Sequence, residues 1–498
     1  MNTLLNGLKN QTNFGYTENG AIKRKSTKSA LLDMFAMCAA YRNRSDADCI
    51  LLFKNAYEEN PEYALKCLFW CRDIRGGAGE RRFFRICMNW LAKNDIAAAR
   101  RNMPYIAEYG RYDDFYCLVD TPLEKEMFDF LKGQLVYDMS GAAPSLLAKW
   151  LCSCNASSRK TIALGNKTRQ AFGLTQKEYR KVLSTLRKRI NVLERLMSAG
   201  KWEEIEFDKI PSKAGLKYKK CFANKDIIKK QYENFAKDKT TKVNAAVLNP
   251  VDIADQIFHA WNPTETERLM WDKYWTNLKD YYNGREESGI AIVDVSGSMS
   301  GQPMNAAVSM GAYIAERGKG PFRNHFITFS NNPQLVEFTG VDLYDKFQRA
   351  KTADWGGSTN IEAVFELLLK TALQNRCSQE DLPQVLYVLS DMEFNGHVSC
   401  GPASNERWYT TGHPIYGQDQ METLLESIAH KWENYGFSLP RVVFWNLDAR
   451  HENIPALGGR FSYVSGFSMN MVEQILSGED GYSLMMKVLN NSRYENIH

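Results

Sequence analysis

Three short stretches of this sequence carry oxygen donors in a pattern suited to a hard divalent cation. The first, Gly289-Ile290-Ala291-Ile292-Val293-Asp294-Val295-Ser296-Gly297-Ser298, is an apolar run that ends in Asp-x-Ser-x-Ser. Such a run reads as a buried parallel strand whose end delivers one carboxylate and two hydroxyls into a turn. The second, Gly356-Gly357-Ser358-Thr359-Asn360, sets a threonine hydroxyl just before an apolar helix. The third, Val385-Leu386-Tyr387-Val388-Leu389-Ser390-Asp391, is another buried strand ending in a carboxylate. Carboxylate and hydroxyl oxygens suit Mg²⁺ or Mn²⁺, and donors at 294, 296 and 298 converge on one ion when the loop folds round it. The competing reading is a serine cluster that caps a helix and holds no ion. No nucleophilic triad and no paired general acid and base accompany these donors, so the expectation is a docking site and not an enzyme.

The ordered trio resembles the metal-ion-dependent adhesion site of von Willebrand factor A domains. The resemblance implies that Ser296 and Ser298 bind the ion directly, Thr359 directly or through water, and Asp294 and Asp391 mainly through water. It also implies an open coordination position for a carboxylate or phosphate from a partner. Asp391-Met392-Glu393-Phe394 departs from the family pattern, which usually has a glycine soon after the second aspartate.

The elements that must position these donors alternate. Helices are expected over 304–316, 361–373 and 421–432, and strands over 325–329 and 441–447, so the C-terminal part reads as a doubly wound α/β sheet. Residues 393–420, rich in glycine and proline and carrying Trp408 and Tyr409, read as an insertion beside the metal edge, either functional or merely flexible. The N-terminal half differs. Apolar residues recur at helical spacing over 30–40, 46–55, 61–73, 80–92 and 103–109, which suggests stacked helix pairs in a HEAT-like solenoid. The expected division is an N-terminal arm (1–30), a helical domain (31–283) and the α/β domain (284–498). Residues 252–282, with Trp261, Trp271 and Trp275, are expected to pack the two parts together.

Between two of the N-terminal helices lies Arg72-Asp73-Ile74-Arg75-Gly76-Gly77-Ala78-Gly79-Glu80-Arg81-Arg82. With no strand before it and no Gly-Lys-Ser/Thr after it, this is a tight interhelical turn flanked by arginines and not a nucleotide loop. Together with Tyr109-Gly110-Arg111-Tyr112-Asp113-Asp114, Lys149-Trp150-Leu151, Pro211-Ser212-Lys213-Ala214 and the metal strand, it resembles a family of helical-repeat plus von Willebrand A proteins. That family is related to the TROVE-domain proteins, of which the Ro autoantigen is one. The resemblance implies a helical ring closed by an A domain and binding of structured or single-stranded RNA.

Charge points to the same class of partner. Residues 159–242 hold 23 Lys/Arg and 9 Asp/Glu, a net of +14, while the whole chain is +5, which leaves −9 elsewhere. Such asymmetry is the footprint of a nucleic-acid surface, although it also suits an acidic protein. Its densest part reads as one amphipathic helix over 177–195, with Leu183, Leu186, Ile190 and Leu193 inward and Lys177, Arg180, Lys181, Arg187, Lys188 and Arg189 outward. Lys213, Lys217, Lys219 and Lys220 follow, interleaved with Tyr218 and, further on, Tyr232, aromatic rings suited to stacking on unpaired bases. The bland alternative is a solvated helix face.

Length and composition set the outer bounds. A chain of 498 residues, 44% of them hydrophobic, holds roughly two to four domains with ample core. No run reaches about 18 apolar residues, and residues 1–30 do not read as a signal peptide, so no membrane partner and a cytoplasmic monomer are expected. The 11 cysteines read as buried thiols, and Cys152-x-Cys154 is not zinc-site spacing.

Overall fold

The computed structural model describes residues 12–141, 143–190, 192–284, 286–329, 332–352, 359–396, 423–476 and 478–498. The chain forms a mostly helical unit and an α/β unit, and the two are not collinear with the sequence. The α/β unit takes residues 1–45, 249–261 and 280–488, whereas the helical unit takes 46–248, 262–279 and 489–498. The expected arm at 1–30 is therefore no appendage over its described part, and the last ten residues leave the α/β unit. Among the described residues no helix is long and apolar enough to cross a membrane.

The α/β unit is built on a six-stranded sheet in the order β5-β4-β3-β6-β7-β8. The strands are β3 (Gly289–Asp294), β4 (His325–Phe329), β5 (Gln334–Glu337), β6 (Val385–Ser390), β7 (Arg441–Asn446) and β8 (Phe461–Ser465). All neighbours run parallel except β5, which pairs antiparallel with β4 at the edge. Every residue of β6 and β8 is buried, while β5 buries only Val336. Strands covered on both faces must be apolar throughout, so the central strands lack the alternation of a half-exposed sheet. The helix Gln302–Arg317 lies against β3 closely enough that a Cβ on Gly311 would meet Val293 Cγ2 at 2.4 Å. A short hairpin, β1 (Phe14–Tyr16) with β2 (Ile22–Arg24), joins this unit: Arg24 and Ile454 exchange both backbone hydrogen bonds, at 2.9 and 3.1 Å.

In the helical unit, capping residues set the helix boundaries. Asn60 accepts from the Tyr63 amide at the start of Pro61–Arg72, and Asp95 accepts from Ala98 at the start of Ile96–Asn102. The turn at 73–80 needs its glycines. A Cβ on Gly77 would stand 1.9 Å from the Trp70 carbonyl oxygen, and Gly79 has φ +73°. The arginines around it pair with acidic and carbonyl groups of the same unit, and Arg72 is buried in its core. Arg72, 2% exposed, donates to Asp114 Oδ2 at 2.8 Å, and Arg85 donates to Asp114 Oδ1 at 2.6 Å. Asp73, fully buried, accepts from Arg493 and from the Tyr494 hydroxyl at 3.0 Å. Arg75 reaches the Glu108 carbonyl at 3.1 Å, and Arg81 lies 3.7 Å from Asp113. The next helix begins at Arg82, with the Glu80 carboxylate accepting from the Arg81 and Arg82 amides.

Two expectations change here. The basic segment is not one helix: Gln176–Arg189 ends at Ile190, and Leu193–Ser198 follows after Val192 turns extended (ψ 125°). Two β-branched residues, Ile190 and Val192, supply the weak point. Within 252–282, Trp271 and Trp275 are buried in the helical unit, but Trp261 is 97% exposed and packs nothing together.

Candidate functional site

The strand order places the first and third donor stretches side by side. From β3 the chain runs through β4 and β5 on one side of the sheet, then crosses to β6, β7 and β8 on the other. The carboxyl ends of adjacent parallel strands β3 and β6 therefore flank the point where the order reverses, which is where open α/β sheets form a crevice. Asp294 closes β3, and Asp391 follows β6. The apolar pattern of each strand fixes this placement, because a long buried run can end only where polar side chains find water or one another.

At this edge the donors meet. Ser296 folds back so that its amide donates to Asp294 Oδ1 at 3.0 Å, and its hydroxyl lies 2.9 Å from that of Ser298. Ser298 also hydrogen-bonds to Asp391. The Ser390 hydroxyl donates to Asp294 Oδ2, tying the two strand ends together. Asp294, Ser296 and Asp391 are buried, and Ser298 is half-exposed, so the cluster opens to solvent on the Ser298 side. Burial, then the nearby Asp391 carboxylate, push the Asp294 carboxyl up to about 7. Burial also raises the Asp391 carboxyl, opposed by the Ser298 hydrogen bond and the Arg450 guanidinium. Two buried carboxylates of like charge with hydroxyls beside them make a site that gains from a cation.

Thr359 stands one step away. Its hydroxyl, 2% exposed, receives a hydrogen bond from Asn19 Nδ2 at 3.0 Å and pairs with Asn395 Oδ1 at 2.7 Å. Asn19 donates as well to the Glu393 carbonyl at 2.6 Å, and Gly20 bridges Asn395. The N-terminal segment thus laces the Thr359 loop to the stretch after Asp391. Met392 takes φ +65°, and the Glu393 side chain turns inward to full burial. Arg450 reaches Asp391 Oδ2 at 3.0 Å and Glu18 Oε2 at 2.9 Å. Gly356, Gly357 and Ser358, and residues 397–420 with Trp408 and Tyr409, lie outside the described residues. Sequence reasoning missed Glu18, Asn19, Ser390, Arg450 and His451, since nothing local marks a residue whose hydrogen-bond partner at the site lies 58 to 375 positions away.

The basic residues separate into two groups. Lys177, Arg180, Lys181, Lys188, Lys213, Lys217 and Lys220 are exposed. Arg187 is not part of an outward stripe, because its guanidinium donates to the Ala148 and Leu151 carbonyls at 2.8 and 3.1 Å. Arg189 is exposed but turns its guanidinium to the end of helix Glu124–Ser140, donating to the Asp138 and Met139 carbonyls. Lys219 packs 4.5 Å over the Trp271 ring beside Glu267. Tyr232, 3% exposed, is core against Phe207, and the Tyr218 hydroxyl donates to Glu194, so neither ring is a bare stacking platform.

Comparison with known proteins gives two family matches that meet between residues 287 and 288. A domain of unknown function, DUF2828, matches residues 17–127 and 134–287, and a second, DUF7788, matches 288–494. The chain is also similar to "Uncharacterized protein L728" of Acanthamoeba polyphaga mimivirus. The two are 29% identical over 528 residues, which span 96% of this chain and 87% of that protein.

Proposed function

The chain belongs to the DUF2828 family, and on that premise we propose that it is a non-catalytic binding protein whose α/β unit docks a partner through a divalent cation. The unit resembles a von Willebrand factor A domain, and the cation is Mg²⁺ or Mn²⁺. The observation that carries this reading is the meeting of Asp294, Ser296, Ser298 and Asp391 at the reversal point of the sheet. Ser296 and Ser298 would hold the ion, with Asp294 and Asp391 behind them and Thr359 joining once Asn19 releases it. The cation offsets the mutual repulsion of the two buried carboxylates and leaves a coordination position for a carboxylate or phosphate from the partner. Calorimetric titration with Mg²⁺ tests it: wild type is expected to take up one equivalent, and Ser296→Ala to bind at least tenfold more weakly. Equal binding by both proteins overturns the assignment.

The helical unit, which resembles the HEAT-like part of TROVE and Ro-type proteins, supplies the second half of the proposal, an RNA-binding surface in a cytoplasmic protein. The net +14 over 159–242 favours it, together with the exposed lysines and arginines there, Lys177, Arg180, Lys181, Lys188, Lys213, Lys217 and Lys220 among them. Phosphate contacts by these groups give affinity that falls steeply with salt. Replacing Lys177, Arg180, Lys181 and Lys188 by Glu is expected to weaken binding of a structured RNA. The slope of log K against log salt should fall by up to about 3 to 4 on the basis of one released counterion per contact. Binding indifferent to salt and to the four substitutions leaves a metal-dependent protein scaffold as the function.

A further inference from the structure

A second cluster of metal-ligating groups lies in the α/β unit, made by Glu18, Glu393 and His451, with ligand atoms all within 4.8 Å of one another. We propose that these three residues form a separate site for a borderline first-row divalent cation of the Zn²⁺ or Co²⁺ class. The donor set differs in kind from the serine hydroxyls at Ser296 and Ser298. An imidazole nitrogen with two carboxylates selects Zn²⁺, Co²⁺ or Fe²⁺ over Mg²⁺, whose ligands are almost all oxygen.

The geometry supports capture from solvent. His451 Nδ1 lies 2.7 Å from Glu393 Oε1, and the other Glu393 oxygen accepts the Glu18 amide at 2.7 Å. Glu393 is fully buried, while the His451 and Glu18 side chains are about half exposed, so an ion from solvent can reach them. Ligands round a four-coordinate ion stand roughly 3.3 Å apart, given metal–ligand bonds of about 2.0–2.1 Å. The His451–Glu393 pair needs to open by about half an ångström and Glu18 to move inward. To present Nδ1 to the metal the imidazole must carry its proton on Nε2 alone, so the ring gives up any Nδ1–H that now faces Glu393. Arg450 pairs Glu18 but also Asp391, and it keeps the latter when Glu18 turns to the metal. Three protein ligands leave a coordination position for water or an incoming ligand.

The proposal is independent of the Mg²⁺ reading, and one experiment separates them. The full chain, freed of metal, is titrated with Co²⁺ in the Ser296→Ala background and followed by visible d–d absorption. One equivalent is expected to bind. Adding His451→Ala or Glu18→Gln, both at exposed positions, is expected to weaken it by about 10- to 100-fold or more, the loss that disturbing a ligand shell brings. Circular dichroism should remain unchanged. Absence of a Co²⁺ signal, a signal equal in all variants, or one dominated by thiolate charge transfer from the cysteines overturns the proposal. Loss of Mg²⁺ binding in Ser296→Ala reports on the first site alone.

Discussion

The two units use charged and polar side chains in opposite ways. In the helical unit the most eye-catching motif, with five arginines between residues 72 and 85, is satisfied internally: Arg72 and Arg85 share Asp114, and Asp73 holds Arg493. In the α/β unit Asp294 and Asp391 face each other among hydroxyls and backbone amides, with Arg450 paired to Asp391. Burial of ions with partners makes architecture, whereas burial of like charges side by side is costly and is relieved by a cation, which is what the proposed site would supply. Local density of charge does not distinguish the two, but pairing in space does.

Breaking the architectural side should cost most. Asp114→Ala leaves Arg72 buried without its carboxylate and is expected to destabilise the helical unit by about 3–5 kcal/mol in denaturant unfolding. The same substitution should leave Mg²⁺ uptake by the α/β unit intact. Next comes the metal response. Saturation at about 100 times Kd stabilises wild type by roughly 2.7 kcal/mol, and Asp294→Asn should remove most of that. The pH dependence sharpens the point. The Asp294 carboxyl is raised from an ordinary 3.8 to about 7, so between those values the folded state holds a proton that the unfolded chain has lost. Its contribution is complete below about pH 4 and is lost as pH rises through about 7. Metal-free wild type should therefore lose stability from pH 5 to 8, Asp294→Asn should lose less, and the gain from Mg²⁺ should be larger at pH 8 than at pH 6. The smallest effect belongs to Asn19→Ala, which frees the Thr359 hydroxyl and should tighten Mg²⁺ binding a few-fold by calorimetry; unchanged or weaker binding would mean that Asn19 does not compete with the ion.

Much of the α/β unit was legible because buried parallel strands write themselves as apolar runs. Val385–Ser390 and His325–Phe329 stand where the pattern puts them, and Gly289–Asp294 ends on its aspartate. The edge strand Gln334–Glu337 and the three-residue strands Phe14–Tyr16 and Ile22–Arg24 carry no such run and went unread. β8 (Phe461–Ser465) also escaped, since Ser462 and Ser465 interrupt an otherwise apolar segment. At the candidate site, the convergence of Asp294, Ser296, Ser298 and Asp391 at one sheet edge follows from their spacing, whereas Asn19, Glu18 and His451 come near through tertiary pairing alone. Charge was least informative about place. Arg187 and Lys188 are neighbours in sequence, yet one caps backbone carbonyls and the other stands in solvent.

The central claim is that the end of β3 and the start of the segment after β6 hold a divalent cation. Crystals of the full chain grown with Mn²⁺ and measured for anomalous scattering test it directly. The account predicts a peak about 2 Å from both Ser296 Oγ and Ser298 Oγ, as expected for direct oxygen ligands. A map with no peak there at saturating Mn²⁺, or with density only beside Glu393 and His451, would contradict it.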